Sequence, residues 1–255
     1  MKAVLLAGGF GTRMKEETEF RPKPMVEIGG KPVLWHIMKV LSQHGIKDFV
    51  ICTGYKSEFI KTYFANYGSA NLDFTIKLGD QDSIVYHGSH DEFEWTVTVV
   101  DTGLETMTGG RIKRAQRFIG DEPFLCTYGD GIADVNVGDL IKFHENHGKH
   151  ASMTTTQLSS RFGVVDMNDD GTVTQFREKP KVNDWVNIGY FIFNKEVFDY
   201  LDDNCVLEET PLRTLASEQE IGAFKHNGFW QPMDTQREYQ ILNDIWNKGN
   251  APWKT

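Results

Sequence analysis

Residues 5–14 read LLAGGFGTRM. An apolar run ends in glycines at positions 8, 9 and 11, and Thr12 and Arg13 follow. The run reaches back to residue 2 as KAVLLA, the pattern of a strand buried on both faces in a parallel sheet. Bare backbone at the mouth of such a strand can approach a ligand closely. Successive N–H groups can form an anion nest there, and Arg13 adds a guanidinium. The competing reading is a tight turn with no ligand. A Walker A loop would need Gly-Lys-Ser/Thr after the glycines, and none follows. The dinucleotide fingerprint G-x-G-x-x-G would need glycine at Met14, which weakens an NAD-dependent oxidoreductase. A phosphate loop of a third kind remains.

Ten residues on, RPKPM (21–25) holds Lys23 between two prolines. Proline fixes its own φ and restricts the residue before it, so this lysine reads as positioned. A solvated lysine in a Pro-rich loop is the alternative; beside the glycine loop, a phosphate clamp is the better account.

The chain beyond repeats a strand-helix rhythm. GGKPVLWHIMKVLSQHG reads as a helix with Pro32 at its first turn and Gly45 as its stop. DFVICTG reads as a second buried strand and KSEFIKTYFANYG as a second helix. The pattern predicts a Rossmann-like α/β fold, a mainly parallel sheet flanked by helices. In the region 72–100, LDFTIKL, DSIVYH and WTVTVVDT read as strands of an edge elaboration. TGGRIKRAQRFIG, NVGDLIKFHENHG and 235–247 read as helices, and EPFLCTYGDG as a strand and loop. From about residue 151 the pattern predicts additional, hairpin-like β structure, with two strands around the Asp-Asp-Gly turn of FGVVDMNDDGTVTQFREKP, another strand at WVNIGYFIFN, and a loop at NGFWQPMDT. No flexible linker divides the chain, so one domain over 1–255 is expected.

Composition narrows the function. The 255 residues carry a formal charge of −9, which disfavours nucleic acid as the main partner. No apolar run approaches membrane-spanning length, and the N-terminus does not read as a signal peptide. Three widely spaced cysteines offer neither a metal spacing nor a disulfide framework, so a reducing cytoplasm is expected. The eight histidines show no metal spacing, and the tryptophans at 35, 230, 246 and 253 read as core or subunit contacts.

LLAGGFGTRM with the later RPKPM resembles the signature of the sugar-1-phosphate nucleotidylyltransferases, with Met14 in place of the usual leucine, a volume-conserving swap. VDTGLETMTGGRIKR, YGDGIADV, FREKPK and GFWQPMDTQRE…APWKT extend the resemblance end to end toward the glucose-1-phosphate cytidylyltransferase subgroup. One departure is Ile188, where the sugar-side strand is expected to carry a second glycine.

The resemblance implies CTP and glucose 1-phosphate as partners, CDP-glucose and pyrophosphate as products, Mg2+ as cofactor, and a homo-oligomer. An already ionised sugar phosphate needs no general base, so cations and metal would carry catalysis through positioning and charge stabilisation. It further implies that Leu6, Ala7, Gly8, Gly9, Phe10, Gly11, Thr12 and Arg13 cradle the triphosphate, and that Arg13, Lys23 and Asp130 are catalytic. Asp130 and Asp234 would hold metal; their alternatives are a turn residue and a helix N-cap. Thr106, Gly110, Arg111, Tyr128 and Gly129 would meet the nucleotide, and Glu178, Lys179 and Asn187 the sugar phosphate. Use of UTP or dTTP, and a catalytically silent nucleotide-sugar-binding module, stay open as alternatives.

Overall fold

The structure is a computed structural model. It describes residues 1–160 and 162–254; Arg161 and Thr255, the last residue of the APWKT stretch, lie outside the described residues. A seven-stranded sheet runs in the order Ile221–Lys225, Ala151–Ser159, Lys181–Phe193, Phe124–Tyr128, Lys2–Ala7, Asp48–Thr53, Thr96–Asp101. Lys2–Ala7 lies centrally and pairs in parallel with Phe124–Tyr128 and Asp48–Thr53, as its near-continuous apolar pattern predicts. Lys181–Phe193 runs antiparallel to both of its neighbours.

Because side chains alternate along a strand, the opening run feeds two cores. Ala3, Leu5 and Ala7 enter one with helices Val33–Gln43, Val137–His147 and Gln236–Asn247. Val4 and Leu6 enter the other with helices Thr108–Ile119 and Thr210–Ser217. The mixed, mainly parallel sheet with helices on both faces is the fold class expected from sequence.

Several local expectations are corrected. Thr96–Asp101 belongs to the main sheet, parallel to Asp48–Thr53, while Asp73–Lys77 and Asp80–His87 form a hairpin of their own. The expected hairpin at the Asp-Asp-Gly turn is present as Val164–Met167 and Val173–Arg177. Ala151–Ser159 and Ile221–Lys225, by contrast, extend the main sheet as a parallel pair. ASMTTTQLS hides its burial because Ser152 and Thr154 occupy core positions a hydrophobic count does not score. NGFWQPMDT is not all loop: Trp230–Pro232 pairs antiparallel with Gly131–Ala133. Of the tryptophans read as core or subunit contacts, Trp246 and Trp253 pack on this chain's own core. Trp253 is buried against Phe229, and the Trp246 ring lies 4.7 Å from that of His36.

The long strand Lys181–Phe193 is irregular where it passes the sheet centre. Met153 pairs with Phe191 but Thr155 with Asn187, so two extra residues bulge out between them. Gly189 sits in this bulge at φ +82°, in a conformation open to glycine, and a Cβ there would strike the Tyr128 ring at 2.1 Å.

Candidate active site

The carboxyl ends of Lys2–Ala7 and Phe124–Tyr128 open into a cleft of about 570 Å³. Ligands of open α/β sheets bind at this end of the strands. The expected loop forms its floor, since Leu6, Ala7 and every residue from Gly8 to Arg13 line it.

The glycines of the loop serve different ends. A Cβ on Gly8 would lie 2.1 Å from Arg111 Nη1, so position 8 is bare to admit the chain's own guanidinium. Gly11 adopts φ +65° at a turn whose carbonyl accepts from Met14 N and Thr18 Oγ1, each at 3.0 Å. A Cβ on Gly9 would meet no protein atom within 4 Å. Only Gly9 leaves backbone open to a ligand in the sense the sequence suggested. Met14 is buried in the core, which suits the swap for leucine.

Lys23 heads a 3-10 turn, Lys23–Met25, between its two prolines, and its side chain is 9% exposed. Its ammonium lies 2.5 Å from Asp130 Oδ2 and also donates to Asp234 Oδ1. Arg13, at 74% side-chain exposure, donates to Asp234 Oδ2 at 2.8 Å. The two carboxylates, 104 residues apart in sequence, meet through main chain. Asp130 sits in the turn between Phe124–Tyr128 and Gly131–Ala133; the latter pairs with Trp230–Pro232, and Met233 N then donates to Asp130 O at 2.9 Å. Asp234 is not the N-cap of the last helix. Thr235 takes that position, in a capping box with Glu238, whose carboxylate also accepts from Asp234 N at 2.8 Å.

Arg111 lines the cleft but is buried, and its guanidinium is spent on the chain. It donates to the carbonyls of Gly8, Thr53, Gly103 and Leu104 and to Thr102 Oγ1, over 2.8–3.3 Å. It clamps the glycine loop to the 102–104 segment of the opposite wall. Burial lowers its pKa from the usual arginine value. Burial likewise pushes the thiol of Cys52 up to about 12, so that thiol is inert.

The remaining expected residues divide. Thr106, Tyr128 and Asn187 line the cleft. The Thr106 hydroxyl donates to Thr102 O at 2.6 Å, the Tyr128 hydroxyl donates to Glu208, and Asn187 Oδ1 accepts from Gly189 N at 2.8 Å. Gly110 lies outside the cleft, where a Cβ would collide with Asp203 O at 2.5 Å, so the Gly-Gly of TMTGG admits the 203–205 segment. Gly129 packs beneath Pro24 and donates to Leu6 O at 3.0 Å. Glu178 and Lys179 are exposed and do not line the cleft, and Lys179 has φ +47°. Leu104, Glu105, Met107 and Thr108, which the sequence reading did not single out one by one, form a wall of the cleft, and Ile188 and Trp230 also line it. Exposed apolar residues such as Leu104 and Met107 carry no periodic signal of their role.

Asp130 and Asp234 fit a hard divalent cation. Both present oxygen, and they already converge on a single cation, Lys23 Nζ. Among the described residues no group of three His, Cys, Asp or Glu side chains is arranged for a metal. A metal held here needs further oxygens from substrate phosphates and water, as Mg2+ commonly does.

The nucleotidyl transferase family model matches residues 2–231. The chain is 52% identical, over its full length and 99% of each relative, to proteins named glucose-1-phosphate cytidylyltransferase from Salmonella typhimurium and Salmonella typhi. The solved structure of a UDP-glucose pyrophosphorylase complexed with UDP-glucose matches with TM-score 0.71 at 19% identity, covering 97% of this chain and 98% of that one. At that identity the likeness is one of fold.

Proposed function

The chain belongs to the nucleotidyl transferase family, and from that premise we propose that it transfers the cytidylyl group of CTP to α-D-glucose 1-phosphate, releasing pyrophosphate and CDP-glucose. The observation that carries the reading is the cluster of Lys23, Arg13, Asp130 and Asp234 at the mouth of the glycine loop. The sugar phosphate is ionised at neutral pH, so the chain must bring two anions together rather than move a proton. Open backbone around Gly9 receives the triphosphate. Lys23 and Arg13 neutralise charge gathering at the α-phosphorus and on the leaving pyrophosphate. Arg111 holds the loop in place from below. The Leu104–Thr108 wall and Tyr128 bound the nucleoside, and Asn187 faces the sugar. Glu178 and Lys179, exposed at the hairpin end outside the cleft lining, are assigned to the sugar phosphate. Mg2+ held by Asp130 and Asp234 with phosphate oxygens would supply charge neutralisation and orientation for in-line attack.

The same reading takes the protein as a cytoplasmic homo-oligomer. Its three cysteines are unpaired, and no helix among the described residues is long and apolar enough to cross a membrane. Phe162, Met167 and Phe176 are exposed on and beside the Val164–Arg177 hairpin, an apolar surface that a second copy could cover.

Pyrophosphate release tests the reaction, with Mg2+, glucose 1-phosphate and each nucleoside triphosphate in turn. CTP should dominate, and Lys23→Ala should lower its turnover by about a hundredfold or more. Preference for UTP or dTTP overturns the choice of base. A folded, CTP-binding sample that releases nothing with any triphosphate overturns the reaction.

A further inference from the structure

The cations expected to meet the triphosphate are bound to the carboxylates expected to hold the metal. Lys23 Nζ touches both Asp130 and Asp234, and Arg13 takes the second oxygen of Asp234. The four side chains carry no net charge between them. The cluster is sheltered: the carboxylate side chains are 34% and 23% exposed and that of Lys23 is 9%. Among the described residues, the other basic side chain lining the cleft, Arg111, is committed to backbone carbonyls and is not free to replace either cation.

We propose that Lys23, helped by Arg13, is the resident counter-ion of the metal site, so that divalent metal and nucleoside triphosphate bind as a mutually dependent pair. The inference rests on the function proposed above and adds a device to it. To take a metal alone, the chain must pull a sheltered ammonium away from both of its carboxylate partners, Asp130 and Asp234. To take a triphosphate alone, it must draw both cations away and leave two facing carboxylates unpaired, which is costly in a sheltered site. With both ligands present the exchange balances: the phosphates take over Lys23 and Arg13, and the freed carboxylates take the metal. By linkage each ligand then raises the affinity for the other by the same factor. The free chain thereby disfavours metal without nucleotide and nucleotide without metal.

The test reads binding, without turnover. Mn2+ is titrated into nucleotide-free protein and followed by the electron paramagnetic resonance signal of the free aqua ion. Lys23→Met should bind Mn2+ about tenfold tighter, or more, than the unaltered chain. Adding Asp130→Asn to Lys23→Met should abolish the gain. Arg13→Gln should give a smaller gain in the same direction, and its exposure keeps the test informative should Lys23→Met not fold. Calorimetry of CTP with and without Mg2+ should show mutual enhancement in the unaltered chain and less in Arg13→Gln. Equal Mn2+ affinity across these variants, in a chain that binds CTP with Mg2+, overturns the counter-ion role and leaves the proposed function standing. A gain in Lys23→Met that survives Asp130→Asn also overturns it. No binding of CTP with Mg2+ present overturns both, through the functional reading.

Discussion

An alanine at position 8 would place its Cβ 2.1 Å from Arg111 Nη1, whereas one at position 9 would meet nothing within 4 Å. Gly8→Ala should therefore cost about 1–3 kcal/mol, the usual range for overpacking, and displace the clamp on the loop. Gly9→Ala should leave Tm unchanged and raise KM for CTP, because only the ligand meets that methyl. Thermal melts and steady-state kinetics on the two variants separate these outcomes. Both glycines belong to one sequence signature; which one faces the ligand depends on where a side chain 103 residues away from Gly8 comes to rest. The fate of Arg111 was hidden in the same way: sequence gave it a charge near the nucleotide, and folding gives that charge to carbonyls. His36 is a further residue whose state is set by burial. It is fully packed, donates from Nε2 to Ile28 O at 2.8 Å, and its pKa is lowered from 6.5 to about 4, mainly by desolvation. A depressed folded pKa favours the neutral ring, so its contribution is complete above pH 6.5 and is lost as pH falls from 6.5 towards 4. Tm should fall across that window, and by less in His36→Gln.

Among the elements, the last helix shows how a small motif places a functional group. Thr235 and Glu238 close a capping box at its start, and Glu238 also accepts from the N–H of Asp234. The box fixes the chain direction just where Asp234 must face Asp130. Thr235→Ala should cost about 1 kcal/mol of stability, the usual worth of a cap. It should also weaken Mg2+-dependent turnover, readable as a higher Mg2+ requirement. The helix itself was legible from sequence; the N-cap offered as the alternative role for Asp234 belongs instead to Thr235, Asp and Thr both being good caps. The strand Trp230–Pro232 was not legible. It is three residues long and ends in proline, which is tolerated only where no ladder N–H is required. Its pairing with Gly131–Ala133 is nevertheless what joins the two carboxylates.

At the scale of the molecule, both cores share the strand Lys2–Ala7 as a common wall, so loosening either face exposes the other. A single unfolding transition is therefore expected in urea, with coincident loss of tryptophan fluorescence and helical circular dichroism; two separated transitions would show independently stable halves. The overall charge of −9 also frames the cleft, since the cations of the site stand in an acidic molecule and must be held locally. Here they are held by Asp130 and Asp234. The sequence by itself determined the fold class, the glycine loop at the cleft and the identity of four charged residues that meet there. Apolar runs, glycines and prolines act through local sterics and periodicity, which a linear reading captures. Tertiary structure alone decided how those residues are paired: Lys23 between two carboxylates 104 residues apart, Arg111 beneath Gly8, the bulge at Gly189 against Tyr128. Such pairings depend on sheet order and strand register, and these follow from the packing of two whole faces rather than from any one stretch of chain.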